Sequence, residues 1–124
     1  MTFEEYETAM AETKVYPLGA RVMYPALALV EEVGEVMGVL AKHMRDRSLN
    51  VTEASGVQYK AVVDLVLDTD EQEKILDELG DVLWDLTALS TDLGVPLFRV
   101  AQRNVEKLRD RKARGVLHGN GSNR

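Results

Sequence analysis

The chain has 124 residues, of which 15 are Lys or Arg, 21 Asp or Glu, 2 His and none Cys, for a net charge of −6. That length suits one domain, and without cysteine there is no disulfide scaffold, thiol nucleophile or Cys-based zinc site. The longest strongly apolar stretch free of charge, Val22 to Val30, is too short to span a bilayer, and the acidic start Met-Thr-Phe-Glu-Glu-Tyr-Glu does not read as a secretory signal. The expectation is a soluble, cytoplasmic single domain in which the sequon Asn50-Val51-Thr52 carries no glycan.

The periodicity is helical throughout. Thr2-Phe3-Glu4-Glu5 reads as a capping box opening a first helix that ends before Pro17. A second helix is expected from Arg21 to Met44, rich in Ala, Leu, Val and Met, followed by a polar loop from Arg45 to Gly56. Tyr59 to Leu67 fits a short helix, with Val62, Val63 and Val66 leaving a strand open. Thr69-Asp70-Glu71-Gln72 offers another capping box, and a strong helix follows to about Asp92. Gly94 is placed to stop it and Pro96 to sit in the first turn of a last helix reaching Arg114. The expected fold is an all-α bundle of four to five helices, a single domain over 1–114 with an inserted segment near 45–70. Residues 115–124 form a Gly-rich tail.

The charges are divided along the chain. Residues 1–98 hold 7 basic and 19 acidic side chains, a balance of −12, whereas residues 99–124 hold 8 and 2, a balance of +6. A basic end on an acidic body suits either nucleic acid or phosphate groups beside an acidic metal site.

At about 100° per residue, Glu32 projects from within the apolar arc of Ala28, Leu29, Val36, Val39 and Leu40, with Glu35 on its border. The helix from Thr69 repeats the anomaly. Glu78, Asp81 and Asp85 run along the edge of the arc made by Ile75, Leu79, Val82, Leu83, Leu86 and Leu89. A carboxylate on a core face is costly unless paired, protonated or bound to a cation. Two helices each present two acids at i, i+3 spacing, on one side. If they pack side by side four carboxylates converge, and hard oxygen donors suit Mg²⁺ or Mn²⁺. The competing reading is a solvated acidic face paired with Lys42, Lys74 or Arg103. A di-iron bundle is disfavoured because neither His43 nor His118 has a Glu three residues before it. No phosphate-cradling P-loop is present. His43 reads as a packed or surface histidine, Trp84 as a base-stacking or interface residue, and the Gly34-x-x-x-Gly38 pair as a device for close helix approach.

Leu29-Val30-Glu31-Glu32-Val33-Gly34-Glu35-Val36, followed by Asp77-Glu78-Leu79-Gly80-Asp81-Val82-Leu83-Trp84, resembles the MazG-like nucleoside triphosphate pyrophosphohydrolases. That family carries Glu-Glu-x-x-Glu on one helix and Glu-x-x-Asp on the next long one. The segment Asn104 to Arg111 resembles its Asn-x-x-Lys-x-x-x-Arg helix, and the Gly-rich end is similar to tails of phage-like members. The 42 residues between Glu35 and Glu78 exceed the family's usual spacing. Asp85 stands where many members have an aromatic residue, and Ser122 where Asp is expected.

The resemblance implies a four-helix core completed by homodimer or homotetramer formation. It implies Mg²⁺, with Mn²⁺ as substitute, on Glu32, Glu35, Glu78 and Asp81. Glu31 and Glu35 would serve catalysis, Glu31 by orienting a ligand or a metal-bound water. Asn104, Lys107, Arg111 and Arg114 would hold the substrate's phosphates. The implied reaction cleaves a (d)NTP between the α- and β-phosphates to the monophosphate and pyrophosphate. A narrower relative acting on dUTP, dCTP or phosphoribosyl-ATP stays open, as does a non-enzymatic helical module whose basic end touches nucleic acid.

Overall fold

The computed structural model describes residues 1–46 and 67–116. These form four α-helices, α1 (Phe3–Ala11), α2 (Met23–Asp46), α3 (Thr69–Asp92) and α4 (Leu97–Ala113), with a 3-10 turn at Leu18–Ala20. No strand occurs among the described residues, so the chain is all-α as its periodicity indicates. The segment Tyr59 to Val66, most of the insertion and the tail from Leu117 lie outside the described residues.

Local chemistry explains the ends. Thr2 and Glu5 form the expected capping box, with Glu5 N–H donating to Thr2 Oγ1 (3.1 Å) and Thr2 N–H to the Glu5 carboxylate (2.7 Å). At α3 the box sits one residue earlier than expected. Glu71 N–H donates to Asp68 Oδ1 (3.0 Å) and Asp68 N–H to Glu71 Oε2 (2.9 Å), leaving Thr69 as the first helical residue. A carboxylate competes well with a hydroxyl here because it also meets the positive end of the helix dipole. The second helix starts at Met23 and not Arg21, and it runs through Arg45 to Asp46 where a loop was expected. Pro25, in its first turn, forfeits no intrahelical bond.

Gly94 (φ 72°) and Gly115 (φ 69°) end α3 and α4 in left-handed turns. In each, a donor beyond the glycine reaches back five residues, Val95 to Ser90 and Val116 to Arg111 (3.0 Å each), closing the last turn. Pro96 is the residue before α4 and has no N–H to offer. The free N–H of Leu97 donates instead to the Glu7 carboxylate of α1.

Two compact units make up the chain: Met1–Ala26 with Trp84–Arg124, and Leu27–Leu83. In the first, α1 packs on α4, and Met10, Pro25, Thr87, Ala88 and Leu97 are buried. The segment between α1 and α2 is tied to Asp92 at the end of α3. Its carboxylate accepts from Lys14 Nζ (2.7 Å), Tyr16 OH (2.8 Å) and Val22 N–H (3.0 Å). Val22 has φ 68°, an unfavourable conformation for a β-branched residue, and this last bond helps to hold it. Tyr16 stacks on Tyr24 at 4.9 Å and meets the Trp84 ring edge-on at 6.4 Å. Trp84 Nε1–H donates to Thr13 Oγ1 at 2.8 Å, so this indole is engaged within its own chain.

Candidate metal centre

The second unit consists of most of α2 and the first half of α3. Two side-chain contacts define how they pair. His43 Nδ1 lies 2.9 Å from Glu71 Oε1, and carboxylate oxygens of Glu35 and Glu78 lie within 4.8 Å of each other. Going back eight residues on α2 corresponds to going forward seven on α3, so the helices run antiparallel. Continuing that register puts Asp81 level with Glu32. The i, i+3 spacing puts both acids of each pair on one side of its helix.

Oxygens of Glu32, Glu35 and Glu78 all lie within 4.8 Å of one another. Asp81 stands outside that set, although its charge acts on Glu78. Glu32 and Glu78 are half-buried, whereas Glu31, Glu35 and Asp81 are exposed. Burial, and next the negative charge and hydrogen bond of Glu35, push the Glu78 carboxyl above its ordinary value of 4.5, with Asp81 and Asp77 adding to the effect. Three carboxylates held together at such a cost are a fit receptor for a hard cation. A Mg²⁺–oxygen distance of about 2.1 Å requires ligand oxygens no more than about 4.2 Å apart, close to the 4.8 Å within which these oxygens lie.

The basic residues belong to the first unit. Asn104, Lys107 and Arg114 are exposed on α4 and its C-cap, while Arg111 is buried at 8% exposure. Arg114 is bonded to Asp110 through Nε (2.9 Å) and a terminal nitrogen (2.7 Å). Asp85, one turn beyond Asp81, is buried at 3%. His43 is packed, as its sequence position suggested. The Asp92 centre was not anticipated from the sequence. Its signal was an acid in the last turn of a helix, where the dipole disfavours it and a nearby cation such as Lys14 is needed.

Fold and acid pairs define the class, an all-α domain with a carboxylate cluster suited to a divalent cation. The model of the MazG nucleotide pyrophosphohydrolase domain matches residues 25–116, and the chain belongs to that family. It is also similar to the Gene 37 protein of Mycobacterium phage L5, 34% identical over 131 residues that cover the whole of both chains. No solved structure matches it.

Proposed function

We propose that the chain hydrolyses ribo- or deoxyribonucleoside triphosphates between the α- and β-phosphates, releasing the monophosphate and pyrophosphate, with Mg²⁺ as cofactor and Mn²⁺ as substitute. The observation that carries this reading is the convergence of Glu32, Glu35 and Glu78 in a chain of the MazG family. These three residues would hold the ion, joined by Asp81 from the level of Glu32. Held there, a divalent ion would offset phosphate charge and make a water easier to deprotonate.

The chain's own groups do the rest. Glu31, exposed beside Glu32, and Glu35 orient the attacking water and accept its proton. Asn104, Lys107, Arg111 and Arg114 donate to the phosphates. A triphosphate brings about four negative charges, more than the ions can offset once the carboxylates have taken their share, so further cations are required. No helix among the described residues is long and apolar enough to cross a membrane, which suits work in the cytoplasm on free nucleotides. The working form is a homodimer or homotetramer. Leu27, Val30, Val33, Leu76 and Leu79 stand exposed in the second unit, where no apolar side chain among the described residues is fully buried.

The test is incubation of the purified chain with each natural NTP and dNTP, with and without Mg²⁺, separating the products. Monophosphate and pyrophosphate in equal amounts, only with the metal, is the expected result. Release of orthophosphate and a diphosphate, or no turnover, would overturn the reading.

A further inference from the structure

Among the described residues of the second unit, Leu27–Leu83, one alone is buried, and it is polar. His43, near the C-terminal end of α2, keeps 8% of its surface, and its ring lies against Glu71 in the first turn of α3. Nδ1 is 2.9 Å from Glu71 Oε1. The other carboxylate oxygen of Glu71 accepts from Asp68 N–H at 2.9 Å, so Glu71 is fixed to its own helix end while it meets the ring.

Neither apolar packing nor the acid cluster sets the offset between the two helices. Val36, Val39 and Leu40 of α2 and Ile75 of α3, between the two contacts in sequence, are half-buried, and Leu76 and Leu79 are exposed. Apolar contact is non-directional, and side chains so loosely covered tolerate more than one offset. The cluster opposes the pairing until a cation is held, because the like charges of Glu35, Asp81 and Asp77 bear on Glu78. The histidine differs. Its hydrogen bond is directional and is lost within about an ångström of misplacement, which would leave a buried polar ring without its partner.

We infer that the His43–Glu71 contact is the register clamp of the acid cluster. It holds α2 and α3 at the offset that brings Glu32 and Glu35 to Glu78, which makes His43 and Glu71 positioning residues for the ion. The clamp lies about 12 Å along α2 from Glu35, too far for either residue to touch an ion held by the cluster. It acts through the helices. Coupling of this kind is reciprocal: a fixed register lowers the cost of gathering the carboxylates, and an ion on the carboxylates strengthens the clamp. The inference rests on the metal reading above and adds which residues outside the ion's reach set the spacing of its ligands.

Calorimetry of Mg²⁺ binding to the full-length chain tests this, with turnover measured alongside. His43→Leu removes the ring nitrogens and should raise the Mg²⁺ dissociation constant by about 10-fold, as loss of a residue that orients metal ligands does. At saturating Mg²⁺ its kcat should stay within about twofold of the wild type, since neither residue takes part in the chemistry. His43→Asn, whose amide nitrogen stands in for Nδ1 as a donor, should bind Mg²⁺ within about threefold of the wild type. Glu71→Gln keeps an acceptor oxygen and the capping role and should do the same, whereas Glu71→Met should match His43→Leu. The two losses should not add, so the double variant with Leu at 43 and Met at 71 should bind no more weakly than either single one. Circular dichroism checks that each variant keeps its helices. If His43→Leu does not, Glu71→Gln against Glu71→Met reads the same contact with His43 in place. Wild-type Mg²⁺ affinity in folded His43→Leu or Glu71→Met, or losses that add, overturns the clamp and leaves the metal reading standing. A wild-type chain that binds no Mg²⁺ overturns the metal reading and the clamp with it.

Discussion

Glu78 carries the tension of the metal-free site. Its carboxyl is pushed above 4.5 by burial and then by Glu35, so the folded state binds a proton there more tightly than the unfolded chain does. The linkage sign follows: the metal-free fold is favoured at low pH and loses that advantage as pH rises from 4.5 through the raised value. Mg²⁺ held at the proposed site would offset the loss, and the Mg²⁺-induced gain in Tm should grow as pH rises from 4.5 through the raised value. A gain independent of pH would contradict it. Glu32→Gln, Glu35→Gln and Glu78→Gln should each cut turnover by about 100-fold or more. Without metal, Glu78→Gln should melt no lower than the wild type, since it removes one like charge from the cluster.

Asp92 has the opposite sign. Burial alone would raise its carboxyl, but the hydrogen bonds from Lys14, Val22 N–H and Tyr16 outweigh it and hold the group down at about 2, from an ordinary 3.8. Its contribution is present above 3.8 and disappears as pH falls toward 2. Asp92→Asn should destabilise the fold by about 2 kcal/mol at pH 7, with the difference from wild type vanishing near pH 2. Urea denaturation at both pH values checks this.

At the scale of elements, the α3–α4 corner depends on one residue. Gly94 has φ 72°, a conformation that costs an L side chain about 1 kcal/mol, and it places Val95 to close the turn on Ser90. Gly94→Ala should therefore lower stability by about 1 kcal/mol, although a Cβ there meets nothing within 4 Å. A variant as stable as the wild type in chemical denaturation would show that backbone conformation is not the constraint. The α2–α3 pair is the other element that matters. Its antiparallel register, marked by His43–Glu71 and Glu35–Glu78, converts two linear motifs into one cluster.

For the whole molecule, charge is the organising quantity. An excess of acid over residues 1–98 and of base over 99–124 suits a reaction in which a polyanion and its cations meet. Lys107→Ala together with Arg111→Ala should cost about 2–4 kcal/mol in kcat/KM for a triphosphate. Mg²⁺ binding to the free chain, measured by calorimetry, should change little. Because Arg111 is buried, Lys107→Ala alone separates lost phosphate contact from lost packing. Wild-type kcat/KM in the single and double variants would remove these residues from the substrate site.

The sequence by itself determined the four described helices, the capping box at Thr2, the stop at Gly94 and the two acid pairs at i, i+3. Each depends on neighbours within about one turn of the chain, where periodicity and backbone chemistry are decisive. Tertiary structure decided which acids meet. Glu32, Glu35 and Glu78 come within 4.8 Å while Asp81 stays outside, because register between helices is set by side chains far apart in sequence. It decided as well that Asp68 and not Thr69 caps α3, and that Trp84 turns to Thr13. The burial of Arg111 and the open surface at Gly34 were equally illegible. A residue's neighbours across space, unlike its position on a helix face, have no local signature.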